Sequence, residues 1–419
     1  DLEARVAYLE ECKADVDDPG PLHDCIVWRG GIGGGCGDKG REEEVKEKER
    51  WWAAVDTAED GDLSEAIAMT DFDELRQHGR FNDVACLNFG VHIYEGGNVL
   101  SIVVDAGAHG THVAGIVAAY YPDDPEANGV APGAQIVSLK IGDSRLGSME
   151  TGVGIVRAVT EAVKMGCDVI NMSYGEAAAL CNSGRVSDVV RDAALKHGIV
   201  FVASAMNAGP ALSTVQAPGG TSPGLLGVGA YASPSLMSAS FSLRESLDGR
   251  NFTWTSAGPT ADGDTGVSVM APGGAISAVP NWTLQKKQLM MGTSMASPNC
   301  AGVVALLLSG MKQRFPEAKM SVHRIRRALE NTAKPLHELE TLVQGQGLVQ
   351  VSSAFDYLVK YAEDSTEDIQ YQVTANDKRG VYLRQSEEVS KKSQWTVTVK
   401  PLLHEDEHND KRVRCIALP

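Results

Sequence analysis

A serine beside a long apolar run offers the clearest chemistry in this sequence. Ser294 lies between a glycine turn at Gly292 and the run 301–308, which is alanine-, valine- and leucine-rich. This pattern predicts a helix that begins next to Ser294. Free N–H groups and the positive dipole end of a helix both stabilise a developing oxyanion. Serine alone is a weak nucleophile, so this chemistry also requires a base and a further oxyanion donor.

Two other polar side chains follow apolar, strand-like runs. His109 comes after the run 99–104 and opens a predicted helix of small residues in the glycine-containing segment 109–115, while Asn207 comes after the run 199–202. Three successive strand-to-loop junctions therefore carry a histidine, an asparagine and a serine. Sites in α/β sheets gather at the carboxyl ends of strands, so we expect the three side chains to meet there.

The elements that position these residues alternate between helical and strand patterns from residue 96 onward. The helical periodicity of 152–165 precedes a predicted strand at 169–172, and a predicted helix at 185–197 ends at Gly198 before the next strand. Such alternation predicts an α/β fold with a mostly parallel sheet flanked by helices.

The two ends of the chain have different patterns. Residues 1–95 are mixed and polar, with a strand candidate at 25–28 and a predicted charged helix at 41–50. After about residue 365, alternating residues at 371–373 and 395–399 predict the first strands of a separate β-rich domain. We therefore predict three parts, with limits 1–95, 96–364 and 365–419.

The motifs around His109, Asn207 and Ser294, in this order, resemble those of the subtilisin-like serine peptidases. The resemblance covers roughly residues 96–360 and extends through three more segments, 129–134, 168–175 and 256–259. It implies a subtilisin-like fold, with Ser294 as nucleophile and His109 as general base. It also implies that Asn207 and the backbone N–H of Ser294 bind the oxyanion.

Further segments look like the tripeptidyl-peptidase II branch of that family; they include 95–98, 140–146, 173–176, 271–276, 280–284 and 327–333. That branch is a large cytosolic exopeptidase, which removes tripeptides from free N-termini and assembles into very large homo-oligomers. The resemblance implies that residues 1–95 belong to an insert that precedes the catalytic histidine. It also implies peptide substrates, a cytoplasmic location and no cofactor.

The same resemblance assigns a substrate-binding strand and an acidic anchor. Ser173, Tyr174 and Gly175 match the edge strand that pairs with the substrate backbone. Glu150 and Glu176 match the acidic residues that bind the free ammonium group of the substrate. From spacing alone, both glutamates would be taken as ordinary surface carboxylates.

Two further residues, Met206 and His112, lie within the motifs of the proposed site. Met206 stands before Asn207 where the family pattern has glycine, so its β-carbon is expected to tilt the loop. His112 lies one helical turn after the start of its motif and is expected to be packed and hydrogen-bonded without a catalytic role.

No Asp-Thr-Gly or Asp-Ser-Gly tripeptide, the family's site for the orienting aspartate, occurs in the sequence. Asp56 mimics that pattern, but Ala58 replaces the turn glycine and the segment falls within the predicted insert. Asp105 lies only four residues before His109, which places it badly for the far ring nitrogen. We therefore expect the sequence to be a fragment and the aspartate to lie upstream of Asp1.

Composition excludes several other functions. A formal net charge of −17 argues against nucleic acid as a partner. No apolar run approaches the roughly 18 residues of a membrane span, and the cysteines lack metal-binding spacing, so neither a membrane nor a metal is expected. The glycine-rich stretch 35–40 lacks a helix that could pack on a sheet, and the acidic stretch 56–62 lacks the ligands of a calcium loop.

Three hypotheses follow, led by a serine exopeptidase that releases tripeptides from free N-termini. The second is a non-catalytic subunit that keeps the fold but lacks the aspartate, and the third is a subtilisin-like endopeptidase of broad specificity. An Asp-Thr-Gly or Asp-Ser-Gly in upstream sequence would favour an enzyme over a non-catalytic subunit. Tolerance of blocked N-termini would favour an endopeptidase.

The first prediction concerns the 419-residue chain alone. Replacing the aspartate of a related triad lowers turnover by about 10⁴, so this chain should release a tripeptide from a chromogenic tripeptide amide only slowly. Turnover comparable to that of an enzyme with a complete triad would contradict the upstream placement of the aspartate.

Overall fold

The computed structural model describes residues 22–30, 49–81, 86–105, 107–143, 149–177, 180–318, 320–364 and 368–402. Packing divides the chain into two units. The smaller unit contains residues 1–108 and 280–285, and the larger contains 109–279 and 286–419. The three domain limits proposed from the sequence stay predictions.

Two antiparallel sheets build the smaller unit. The first joins β1 (Cys25–Gly30), β2 (Arg50–Val55) and β3 (Met69–Thr70); after the short helix α1 (Phe72–Leu75), the second joins β4 (Gly79–Arg80), β5 (Asn88–Tyr94) and β6 (Val99–Val104). A common apolar cluster is formed by buried residues of both sheets: Ala53, Val55, Met69, Phe89 and Val91. The strand predicted at 25–28 is confirmed. The glycine-rich stretch and nearly all of the predicted charged helix lie outside the described residues.

The larger unit alternates helices and strands, as the sequence predicts. Its elements are α2 (Ala108–Ala118), β7 (Gly142–Asp143), β8 (Met149–Glu150), α3 (Gly152–Lys164), β9 (Val169–Met172), α4 (Arg185–Leu195), β10 (Val200–Ser204), β11 (Leu226–Ala232), α5 (Pro234–Phe241), β12 (Arg250–Asn251), β13 (Val269–Pro272), β14 (Gly274–Ala278), β15 (Lys287–Met291), α6 (Thr293–Arg314), α7 (Val322–Thr332), α8 (Thr341–Gln344), α9 (Val351–Lys360), β16 (Gln370–Ala375), α10 (Ser386–Val389) and β17 (Val397–Leu402).

A parallel sheet forms the centre of this unit. Its strands β9, β10, β11 and β13 are neighbours in that order, and the two-residue β12 pairs antiparallel with β11. All five residues of β10 are buried. A strand covered on both faces requires a nearly continuous apolar sequence, which Val200-Phe201-Val202-Ala203 supplies.

Helix α6 packs on the parallel sheet and carries the largest share of the core. Val304, Leu307 and Met311 are almost completely buried and belong to the same apolar cluster as Ile325 and Leu329 of α7. By length and composition α6 could cross a membrane, which the sequence analysis did not anticipate. However, 67% of its most apolar window is buried inside the protein, as befits a core helix.

Two strand-to-loop junctions differ from the sequence expectation. The strand before His109 is β6, which pairs antiparallel with β5, and the strand before Ser294 is β15, which pairs antiparallel with β14. Only Asn207 follows a strand of the parallel sheet. Apolar runs reveal that a strand exists but not which partner it pairs with.

The two strands predicted near the end of the chain pair with each other. β16 and β17 form an antiparallel hairpin from Gln370↔Leu402 to Ala375↔Val397. Before this hairpin, the buried Arg324 of α7 donates to the carbonyl oxygens of Tyr361, Ala362 and Asp364 and to the Asp368 carboxylate. This single guanidinium thus fixes the chain where it leaves α9.

The second prediction concerns the core helix. Leu307 is 1% exposed and its neighbour Leu306 is 39% exposed. Leu307→Ala leaves a cavity and should lower the free energy of unfolding by about 2–5 kcal/mol, whereas the matched change Leu306→Ala should cost clearly less. Urea unfolding of both variants measures the difference, and equal losses would contradict this account of the core.

Candidate active site

Ser294 lies in the first turn of α6, as predicted. Its Oγ donates to the carbonyl oxygen of Ser173 at 3.3 Å, and Ser173 Oγ donates to the carbonyl oxygen of Ser294 at 2.9 Å. These reciprocal bonds fix the start of α6 against the residue that follows β9. The backbone N–H of Ser294 and the dipole of the first turn favour negative charge beside Ser294.

One cavity of about 420 Å³ brings the three predicted catalytic side chains together. His109, Asn207 and Ser294 line it, and the other lining residues are Met290, Met291, Gly292 and Met295. Within the described chain, no hydrogen bond joins His109 to Ser294. The Ser294 hydroxyl must turn away from Ser173 to reach the histidine, and catalytic hydrogen bonds often tighten only when substrate binds.

The electrostatic surroundings of His109 favour a neutral ring. His109 is exposed at the cavity wall, but neighbouring protein atoms partly desolvate its imidazole. This desolvation, with a smaller contribution from His112, lowers the pKa of His109 below its ordinary value of 6.5. A neutral imidazole is the form that can accept a proton from serine.

Asn207 is oriented by the first residue of α6. Its Oδ1 accepts from the backbone N–H of Thr293 at 3.0 Å and from Thr293 Oγ1 at 2.9 Å. With Oδ1 occupied in this way, Nδ2 lies toward Gly292, 3.7 Å from the position that a β-carbon on Gly292 would take. Asn207 can therefore donate into the cavity next to Ser294.

Met206, which stands where the family pattern has glycine, adopts a backbone conformation that glycine favours. Its φ is +81°, in the left-handed region that a residue with a β-carbon seldom occupies. Ser204 Oγ lies 3.3 Å from the Met206 sulfur, and the Met206 carbonyl accepts from Ser256 N–H at 2.9 Å. These contacts hold the strained residue in place beside Asn207.

His112 is packed and hydrogen-bonded, as expected. Its side chain is completely buried, and its Nε2 donates to the carbonyl oxygen of Gln288 in β15 at 2.9 Å. Desolvation lowers the pKa of His112 below 6.5 and outweighs its backbone hydrogen bonds. The residue ties α2 to the β14–β15 hairpin, which leads directly into the Ser294 helix.

Asp56, one of the two aspartates considered from the sequence, is engaged within its own loop. The buried Asp56 carboxylate accepts from the backbone N–H groups of Ala58, Glu59 and Gly61 at 2.9–3.0 Å. Of the causes that act on the pKa of Asp56, the hydrogen bond from Gly61 is the largest, and the net shift is downward. Asp56 thus organises its own loop, which accounts for the Asp-Thr-Ala sequence without catalysis.

Both glutamates predicted to bind the substrate ammonium group raise the pKa of Tyr174. Glu150 and the Tyr174 phenol form a hydrogen bond, which raises the pKa of Tyr174, and the negative charge of Glu176 adds to this shift. Glu176 is exposed and Glu150 partly buried. Two carboxylates near one phenol create a negative patch that suits a small cation.

The segment that carries Glu176 pairs with a second segment through an isolated antiparallel bridge. Glu176 and Ala217 exchange two backbone hydrogen bonds, of 3.0 and 2.9 Å. Gly175 lies so close to the Ala217 carbonyl oxygen that a β-carbon would collide with it. Residues 173–176 and the loop around Ala217 therefore form one wall, for which Gly175 is required.

Sequence reasoning missed a hydrogen-bond chain beneath Ser294. Ser297 Oγ donates to Asn171 Oδ1 at 2.6 Å, and Asn171 Nδ2 donates to Ser173 Oγ at 3.1 Å. Because Ser173 in turn bonds to Ser294, the chain links β9 to two positions of α6. The signal that could have revealed it is an amide residue within the otherwise apolar strand Val169–Met172.

One group of side chains has the composition of a metal site. Ligand atoms of Asp71, Asp73 and His92 lie within 4.8 Å of one another. However, Asp71 already accepts from the backbone N–H groups of Asp73 and Ile93 and lies 3.5 Å from His92 Nδ1. Capping of α1 therefore explains the cluster without an ion.

Comparisons with known proteins agree with this fold. The sequence profile of the subtilase family, peptidase S8, matches residues 65–354. The chain therefore belongs to the subtilase family of serine peptidases.

Among its relatives, the chain is similar to proteins named tripeptidyl-peptidase 2. It is 44% identical to the Arabidopsis thaliana protein over 99% of this chain and 30% of that protein. It is 43% identical to the Drosophila melanogaster protein over 86% of this chain and 25% of that protein. A crystal structure of tripeptidyl peptidase 2 superposes with a TM-score of 0.72 at 34% identity, over 99% of this chain and 30% of that chain. The chain thus spans about a third or less of these relatives.

The third prediction concerns the protonation of His109. Because its folded-state pKa lies below 6.5, an NMR titration of the 419-residue chain should place its midpoint below that of the urea-unfolded chain. As pH falls from the unfolded value through the folded one, the unfolded chain binds more protons, so this residue lowers stability in that window. A midpoint at or above the unfolded value would contradict the desolvation described here.

Proposed function

We propose that the protein containing this chain is a serine exopeptidase that releases tripeptides from the free N-termini of peptides. The observation that carries the proposal is the acidic patch that Glu150 and Glu176 form at Tyr174. Tyr174 and Glu176 lie on the same short segment as Ser173, which contacts Ser294. Resemblance to relatives named tripeptidyl-peptidase 2 supports the same assignment.

The spacing along this segment suits a tripeptide. An extended chain advances about 3.3 Å per residue, so three residues span about 10 Å. Glu176 is the third residue after Ser173, whose carbonyl oxygen is bonded to Ser294 Oγ. A substrate paired with residues 173–175 would then place its ammonium group near the glutamates when its third peptide bond reaches Ser294.

The cavity residues supply the steps of acyl transfer. Ser294 Oγ attacks the third carbonyl carbon while His109 accepts the hydroxyl proton. Asn207 Nδ2 and the Ser294 backbone N–H donate to the resulting oxyanion. His109 then protonates the leaving amine, and the tripeptide remains as an ester on Ser294 until water, deprotonated by His109, releases it.

Two broader properties belong to the same proposal. Five cysteines in the described residues are free thiols, which fits a reducing compartment and supports a cytoplasmic location. Assembly into a large homo-oligomer is implied by the sequence resemblance alone. Peptides with free N-termini are the proposed partners.

The fourth prediction tests the acidic anchor with Glu176→Gln. Losing a charged partner of the substrate ammonium should lower kcat/KM for free-amine peptides by about 10- to 100-fold, the equivalent of a charge-assisted hydrogen bond. The residual cleavage of N-acetylated peptides should not change, because these substrates have no ammonium group. Steady-state kinetics on a matched pair of peptides measures both values.

Two variants act as controls for this experiment. Glu363→Gln removes an exposed carboxylate in the turn after α9 and should leave both values unchanged. Ser294→Ala should abolish both activities. Equal loss on free and acetylated peptides in Glu176→Gln would reject the N-terminal anchor and favour an endopeptidase.

A further inference from the structure

Arg379 bonds to three residues in the loops of the larger unit. Its Nε and Nη2 bind both oxygens of Asp262 at 2.7 and 3.0 Å, and its Nη1 binds Asp264 at 2.6 Å. Nη2 also donates to the carbonyl oxygen of Thr221 at 2.6 Å. The Arg379 side chain is only 18% exposed. One guanidinium therefore joins two acidic residues to a turn elsewhere in the unit.

The backbone next to Arg379 contacts the same loop as its side chain. Gly380 N–H donates to the Asp262 carbonyl oxygen at 3.0 Å, and a β-carbon on Gly263, whose φ is +90°, would meet the Gly380 backbone at about 2.5 Å. Tyr382 and Ser213 share a hydroxyl hydrogen bond of 2.7 Å. The chain between β16 and β17 thus packs against the rest of the larger unit through both side chains and backbone.

Thr221 connects this contact to the proposed substrate wall. Its turn is closed by hydrogen bonds from Gly220 N–H to Gln216 and from Thr221 N–H to Pro218. Ala217, which pairs with Glu176, belongs to the same turn. On the other side of Ala217, residues 213–215 are held by the carbonyl oxygens of Ala257 and Gly258. The segment that pairs with Glu176 is therefore anchored at both ends, and Arg379 supplies one anchor.

The charges show why this anchor depends on arginine. Burial opposes ionisation of Asp262, but hydrogen bonds from Arg379 and Thr260 outweigh it and lower the pKa of Asp262. Without the guanidinium, two carboxylates would face each other and the Thr221 carbonyl would lose its charged donor. A lysine has no planar fork and cannot make the bidentate contact to Asp262 while also reaching Asp264 and Thr221.

We propose that Arg379 is a positioning residue for substrate N-termini: it fixes the turn 216–222, so that Ala217 holds Glu176 at its distance from Ser294. The inference rests on the proposed function. It assigns a role in peptide selection to the segment 376–384, outside the elements that carry the catalytic residues.

Arg379→Met in the intact protein tests this role. We expect KM for free-amine peptides to rise about tenfold, the size of effect that a misplaced binding group causes, while kcat changes less than about twofold. Residual cleavage of N-acetylated peptides should be unchanged. In the Glu176→Gln background, Arg379→Met should alter KM by less than about twofold, because the group it positions is already absent.

Controls separate positioning from general destabilisation. Lys312→Met removes a cation from the exposed ion pair with Asp168 and should leave KM unchanged. If Arg379→Met does not fold, Tyr382→Phe removes only the neighbouring contact with Ser213 and should raise KM for free-amine peptides in the same direction.

The outcomes are distinguishable. Additive effects of Arg379→Met and Glu176→Gln, or an equal loss on acetylated peptides, would overturn the role of Arg379 and leave the proposed function intact. Failure of Glu176→Gln to discriminate free from acetylated peptides would reject the proposed function and this inference with it.

Discussion

Two hydrogen bonds between Ser173 and Ser294 hold the start of α6 against the end of β9. The positions of the other residues of the candidate site depend on this contact. Asn207 forms a further hydrogen bond with Thr293, and Asn171 forms one with Ser297. The helix cannot slide along its axis without breaking all these bonds. The backbone N–H of Ser294 therefore stays fixed beside the cavity, which is the preorganisation that stabilises charge without rearrangement.

Local patterns in the sequence were sufficient to predict much of this arrangement. The α/β class, the helix that starts beside Ser294 and the helix that opens at His109 all follow from apolar periodicity and glycine placement. The predicted ends of the helices at 152–165 and 185–197 differ from α3 and α4 by at most two residues. The roles of Glu150 and Glu176 came from family resemblance, because exposed glutamates carry no local signal of binding.

What the sequence could not predict depends on partners far apart in the chain. An apolar run does not say whether its neighbour is parallel, so the antiparallel pairing of β6 and β15 was missed. Asn171 and Ser297 are 126 residues apart, and Arg379 and Asp262 are 117 apart. Polar pairs of this kind become visible only when the fold brings them into contact.

The left-handed backbone conformation at Met206 also limits which residue types this position accepts. Glycine adopts a positive φ without strain and asparagine does so more readily than other residues, whereas a β-branched side chain would push the loop toward a different conformation. Variation at this position should therefore follow backbone geometry rather than side-chain chemistry. Met206 combines this backbone conformation with a sulfur contact to Ser204, so Met206→Gly would relieve the backbone and remove that contact at the same time.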